Sequence, residues 1–243
     1  MLFQIINGLR GGSLSLEDVL IQIIVILFVV FLILPIHEYA HAGAAYLLGD
    51  KAIKRRGRLT FNPLAHVDPF GALCLLLFGF GWAKPVPVDP RYFKNPKKGM
   101  ALTALAGPLS NLLCAFVSGA AIVLFLKFNA NSVAAYMSGY SDDGAVLWYI
   151  LLFLYNFLAI NVSLAVFNLI PVPPLDGSKI LFAFLPDRTV AAIYSIQRYF
   201  FIIIYGVIIL LSRSGLLNII DNFFIKVCLF GNTLGELILN NLA

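Results

Sequence analysis

The sequence predicts an all-α polytopic membrane protein, and three observations carry that prediction. Its 243 residues are 60% hydrophobic and 12% charged, with a mean hydropathy of +0.92, whereas an average soluble domain is about 25% charged. The apolar residues gather in long runs, beginning with Val19 to Ile36, whose only polar side chain is Gln22. Ten of the seventeen Lys and Arg fall between Lys51 and Lys98, the clustering expected of a basic loop on the cytoplasmic side of a membrane. The expected architecture is a three-helix core plus C-terminal helices, with short re-entrant or β-strand elements near residues 55–90, all in a single membrane domain spanning 1–243.

The elements follow in order. Glu17-Asp18 is a helix-start signal, and the first span runs from about Val19 to a stop at Gly49-Asp50. A run this long that also carries ionisable residues is expected to stay in the mature protein rather than be cleaved as a leader. From Lys51 to Lys98 the pattern breaks up. "RGRLTF" alternates like a short strand, "NPLAHVDPFG" is rich in turn residues, and "ALCLLLFGFGW" is apolar but too short to cross. "AKPVPVDP" alternates Pro and Val and cannot continue a helix. A second span is expected from about Ala101 to Phe125, then a polar link through "NANSVAAYMSGYSDDG", and a third span from about Val146 to Leu169. A fourth is expected at about Phe200 to Leu211. The stretch from Leu216 to Leu239 contains Asp221, Lys226 and Glu236 and either spans the membrane or lies on it.

If the basic loop is cytoplasmic, span one runs inward, span two returns outward and span three comes back. The link after span two agrees, with Lys127 as its one base against Asp142 and Asp143. The ends of spans one and three then share one side and a similar depth. A basic loop placed this way serves topology, so nucleic acid is not an expected partner. The three cysteines, Cys74, Cys114 and Cys228, lack C-x-x-C spacing and sit in apolar surroundings, which suits packing rather than disulfides or metal ligation.

The ionisable residues at the end of span one carry the chemistry. "LPIHEYAHAG" places His37 and His41 four residues apart, so both imidazoles lie on one helical face and can reach one zinc ion at roughly 2.0–2.1 Å. Glu38 stands next to the first ligand, where it can act on the metal's bound water, the mechanics of an H-E-x-x-H segment. The plainer reading is a pair of helix-end polar residues reaching interfacial water. Catalytic zinc usually takes three protein ligands, and Asp176 in "PPLDG" is the best third candidate, since it follows span three on the same side. Before Gly177 it also reads as a turn aspartate. Asn111 in "GPLSN" offers an amide donor for a developing oxyanion, or a polar contact that pairs helices. His66 is either a fourth ligand or part of a turn flanked by Pro63 and Pro69.

These motifs resemble the site-2 protease family of intramembrane zinc metalloproteases. The residues that carry the resemblance are His37-Glu38-Tyr39-Ala40-His41, "NLIPVPPLDG" with Asn168, Pro171 and Asp176, and "AGPLSN" at 106–111, over about Leu20 to Lys179. "GRLTFNPLAHVDPFG" and "GFGWAKPVPV" resemble the compact branch, and the link between spans two and three is too short for a PDZ domain. The resemblance implies one Zn2+ per chain held by His37, His41 and Asp176, with Glu38 as catalytic acid/base and the three-helix core as the catalytic one. It implies hydrolysis of a peptide bond within or near the transmembrane segment of a single-span substrate, in a multi-pass plasma-membrane enzyme facing the cytoplasm.

Because a membrane-embedded substrate hides its peptide bonds in a helix, "GRLTF" and "KPVPV" are the candidate edges that would hold it extended. A zinc or other divalent-metal transporter is the main rival, since transporters also place His and carboxylates inside spans. It would show several ligand clusters and repeat-related spans, whereas this chain shows one cluster and no repeat. A non-cleaving, membrane-binding relative would have no use for Glu38.

Overall fold

A computed structural model describes residues 16–71, 83–195, 199, 206, 210 and 213–242. The chain divides into two compact units, residues 1–107 and 108–243.

The first unit is organised by α1 (Leu16–Leu48), 33 residues with Pro35 inside. It contains the apolar run expected as span one and carries "HEYAH" in its last turns. Gly49 ends it at φ 129°, where a Cβ would lie 2.6 Å from the Tyr92 carbonyl oxygen. Only glycine suits both the backbone angle and the close approach. Two short helices follow, α2 (Ala52–Arg55) and α3 (Pro63–His66), the latter capped by the Asn62 side chain, which accepts from Leu64 N. Ala42, Ala45, Ile53 and Phe93 form the core of this unit, with Val86 and Val88 packed against it.

The expected strands do not form among the described residues. Residues 56–61 are irregular, and one isolated antiparallel bridge, Val67 with Ala83, is all the pairing present there. The reason lies in the hydrogen-bond donors of residues 84–89. Pro85 and Pro87 have none; Val86 N donates to Glu38 Oε2 at 3.2 Å and Asp89 N to Asp50 Oδ2 at 3.0 Å. Carboxylates of the first helix and its C-terminal turn thus take the donors a neighbouring strand would need. The expected re-entrant segment, 72–82, and the fourth span at 200–211 lie outside the described residues, apart from isolated positions in the latter.

Arg91 folds back on both carboxylate oxygens of Asp89 and holds the Asp89 pKa at about 2. Since that value is depressed, the cap Asp89 makes on Arg91 N stays charged through neutral and mildly acidic pH. Its contribution fades only as pH falls from the ordinary carboxylate range toward 2.

Helix α4 (Pro96–Met137) is 42 residues long and belongs to both units. It extends beyond the expected second span and absorbs most of the link predicted to be polar. Ala130 and Val133 are buried, and Asn129 returns its amide to the Phe125 carbonyl at 2.8 Å, so the polar letters there are compatible with helix. The helix ends where Gly139 adopts φ 70°.

In the second unit, α5 (Ala145–Asn168) matches the third span expected from the sequence. Ser141 caps the preceding turn through Asp143 N, and Asp142 and Asp143 lie at the helix's positive end. Asn156, Asn161 and Asn168 each donate to the carbonyl four residues back, which is how an apolar helix carries three amides. Helix α4 and the segment 142–168 are the two stretches, among the described residues, long and apolar enough to cross a membrane.

The core of this unit joins Ala115, Ile122, Leu126 and Val133 to Leu151, Leu158 and Val162. Close packing and interhelical hydrogen bonds hold these helices together. Ser118 Oγ donates to the Leu154 carbonyl at 2.8 Å, and Gly119 lets the Cys228 backbone approach where a Cβ would be 2.8 Å from its carbonyl carbon.

After α5 come α6 (Asp176–Phe182) and α7 (Asp187–Ser195). The stretch 216–239 is two elements, α8 (Leu216–Cys228) and α9 (Leu234–Asn240). At about 1.5 Å per residue neither crosses a hydrocarbon core of about 30 Å alone. A capping box starts α9: Thr233 Oγ1 accepts from Glu236 N at 3.2 Å and Glu236 Oε2 from Thr233 N at 2.6 Å. Thr233→Ala is expected to lower stability by about 1 kcal/mol, read as a lower thermal midpoint.

Candidate metal centre

In the first unit His37, Glu38 and His41 are 7%, 8% and 8% exposed, so three of the five residues predicted to do the chemistry are withdrawn from solvent on one helix. Their spacing brings the two imidazoles together. The Nε2 atoms are 3.0 Å apart and the rings meet edge to face at 88°.

His41 Nδ1 lies 2.7 Å from the Thr103 carbonyl oxygen. A carbonyl only accepts, so Nδ1 carries a proton, the tautomer whose neutral form has its lone pair on Nε2. A metal-ligating histidine commonly donates its other nitrogen in this way. Two nitrogens at roughly 2.0–2.1 Å from a tetrahedral zinc would be about 3.3 Å apart, close to the separation found.

The space around the pair is kept open by Gly107 on α4. A Cβ there would lie 2.6 Å from His37 Cε1 and inside contact distance of His41 Nε2. The donor set, the tautomer and this opening all fit a soft-to-borderline divalent ion such as zinc.

Glu38 is tied at one oxygen to Val86 N. His66, fully buried, donates from Nε2 to the Thr60 carbonyl at 2.8 Å, leaving Nδ1 buried without a hydrogen-bond partner. Its ring braces the turn at Thr60, consistent with the turn reading.

In the second unit Asp176 is 6% exposed and opens α6. The turn before it passes through a cis Pro173-Pro174 bond. Its Oδ1 accepts from Lys179 Nζ at 3.0 Å. Gly177 is needed here for contact rather than for turn angle: a Cβ would lie 2.6 Å from the Ile170 carbonyl oxygen and 2.5 Å from the Leu169 carbonyl carbon. Gly177→Ala must therefore push α6 off the end of α5. With Asp176 as a ligand, the expected result is a loss of zinc affinity of about 10–100-fold, the size seen when supports of a ligand are disturbed, checked by zinc titration. Asn111 is fully buried on α4, its Oδ1 accepting from Ser110 Oγ at 3.5 Å.

Thr103, Gly107 and Val86 were not singled out from the sequence as site residues. Two of them act through backbone atoms and the third by lacking a side chain, so residue type gives no direct signal. The nearest hints were the "AGPLSN" motif around Gly107 and "KPVPV", expected to hold substrate, around Val86.

Residues 24–212 match peptidase family M50. The chain is 40% identical over 167 residues to YwhC of Bacillus subtilis (strain 168), covering 69% of this chain and 72% of that one. It is 29% identical over 181 residues to Rip2 of Mycolicibacterium smegmatis, covering 72% of this chain and 63% of Rip2. It is 34% identical over 113 residues to MJ0611 of Methanocaldococcus jannaschii, covering 46% and 48%. By their names all three are candidate zinc metalloproteases. No solved structure matches.

Proposed function

This chain belongs to peptidase family M50 as a zinc metalloprotease, and we propose that it is an intramembrane one, hydrolysing a peptide bond within or near the transmembrane segment of a single-span protein. The observation that carries the reading is the histidine pair: two buried Nε2 atoms 3.0 Å apart, one ring fixed by the Thr103 carbonyl, with Glu38 buried beside them.

His37, His41 and Asp176, each buried and each offering a ligand atom, would hold one Zn2+ per chain and leave a fourth position open. Zinc, when bound, supplies a Lewis acid that polarises the scissile carbonyl and makes water acidic enough to ionise near neutral pH. Glu38 takes the proton of the attacking water and passes it to the leaving amine. Asn111 steadies the negative charge that develops on the carbonyl oxygen. The burial of all five residues keeps bulk water from competing for these contacts.

The membrane setting rests on the apolar helices and on the basic run that follows α1. Lys51, Lys54, Arg55 and Arg56 are exposed directly after the helix that bears His37 and His41. By the positive-inside rule this supports a multi-pass plasma-membrane protein, a single domain in the bilayer, with its active site toward the cytoplasm. Lipid and a membrane-embedded substrate are the partners; nucleic acid is not.

The test is reconstitution in lipid vesicles with single-span substrate proteins. Cleavage that stops on zinc chelation and returns with added zinc is expected. Vesicles that instead take up zinc while no substrate is cut would make the chain a transporter.

A further inference from the structure

We propose that the backbone amide of Val86 is the positioning group for Glu38, and that Pro85 and Pro87 make it so by leaving no other donor in register. The inference rests on Glu38 being the base. A carboxylate serving as base must present one oxygen to water, yet a glutamate has three rotatable bonds and two equivalent oxygens. Here Oε2 is taken by Val86 N at 3.2 Å, which leaves Oε1 to do the proton transfer.

The segment that supplies this amide is fixed on both sides of it. Lys84 N donates to the His66 carbonyl at 2.7 Å, and Asp89 N donates to Asp50 Oδ2 at 3.0 Å. Asp50 is fully buried and also accepts from Ala52 N at 3.1 Å, at the C-terminal end of the helix that carries Glu38. Val88 N turns back to the Val86 carbonyl at 3.0 Å, and Arg56 donates to the Pro87 carbonyl at 2.6 Å.

Val86 and Val88 pack against a core that includes Ala42 and Ala45 of the same helix, so the strap and the base share one support. The prolines then act by omission. A slip of one residue in either direction would put a proline, which has no N–H, opposite Glu38. A buried carboxylate without its donor is costly, so the pattern Pro-Val-Pro locks the register.

One consequence follows for substrate binding. While Val86 N–H is on Glu38, residues 84–89 have no amide to give a substrate strand, so the segment can meet one only through its carbonyls.

The experiment replaces single amides by esters, using hydroxy-acid analogues of Val86 and, separately, of Asp89 in the full chain. The zinc-loaded, lipid-reconstituted protein is assayed on a single-span substrate. The ester at 86 is expected to lower kcat about 10- to 100-fold, the loss of a hydrogen bond to a charged group, with KM and zinc content unchanged. The ester at 89 is expected to lower thermal stability and leave kcat within about twofold. An unchanged kcat at 86, a rise in KM alone, or loss of zinc would each overturn the proposal.

Amide hydrogen exchange on the zinc-loaded protein supplies a reading that needs no ester. In Glu38→Ala the Val86 amide should exchange at least about tenfold faster while the Asp89 amide keeps its wild-type rate. Equal protection of Val86 in both proteins would overturn the proposal. A Glu38→Gln protein that cleaves at the wild-type rate would remove the base itself, a separate failure belonging to the functional reading.

Discussion

Glu38→Gln is expected to keep the full complement of zinc and to lower the cleavage rate by about 10²–10⁴-fold, the usual contribution of a positioned acid/base. The substitution keeps the length and shape of the side chain. It also keeps an oxygen that can accept from Val86 N, the hydrogen bond this carboxylate makes among the described residues. What it removes is the lone pair basic enough to take a proton from water. Because Glu38 is 8% exposed, no bulk buffer base can take its place at that position. Zinc content by metal analysis and cleavage of a single-span substrate are measured on the same preparation. Full activity in the glutamine variant would exclude Glu38 as the base, whereas loss of zinc together with activity would make it a structural support of the histidines.

How much of this was legible in the sequence differs between the two kinds of feature. The apolar runs read well: the third span, expected at 146–169, is a helix at 145–168. A helix closes its own hydrogen bonds, so a long apolar run carries its structure within itself. His37 and His41 were legible for the same reason, since a spacing of four is a statement about one helix.

Residues 55–90 were not legible in this way. Period-two alternation predicted strands there, but a strand needs a partner for its amides, and in this chain the amides of Val86 and Asp89 meet Glu38 and Asp50 instead. Those acceptors lie roughly 40–50 positions away along the chain, and no local pattern encodes them. The link after span two failed for a milder reason. Its Asn and Ser residues looked polar, yet Asn129 satisfies its own helix and Val133 is buried in the second core. The motif residues of the site were thus visible as side chains, while the groups that orient them, Thr103 and Val86, contribute only main-chain atoms.

Gly107→Ala is the second substitution with a large expected effect, and helix propensity and packing oppose each other in it. Within a helix interior, replacing Gly by Ala ordinarily gains about 0.5–1 kcal/mol, and Gly107 lies inside α4. On propensity alone the variant would be the more stable protein. The added methyl, however, lies 2.6 Å from His37 Cε1 and overlaps His41 at the nitrogen that faces its partner. Neither ring is free to step aside at no cost, because His41 is held by the Thr103 carbonyl at 2.7 Å and both sit in buried surroundings. The imidazoles must rotate away from each other, and the nitrogens then no longer converge on one point. A loss of zinc affinity of at least about 10–100-fold is expected, as for disturbance of a ligand's supports, and activity should fall with it. Gly43 provides the comparison, since it lies two residues beyond His41 on α1 and a Cβ there meets nothing within 4 Å. Gly43→Ala should gain stability without touching zinc. Zinc competition titrations and thermal midpoints on the two variants separate the terms: wild-type zinc affinity in Gly107→Ala would mean that the histidine pair has room the structure does not show.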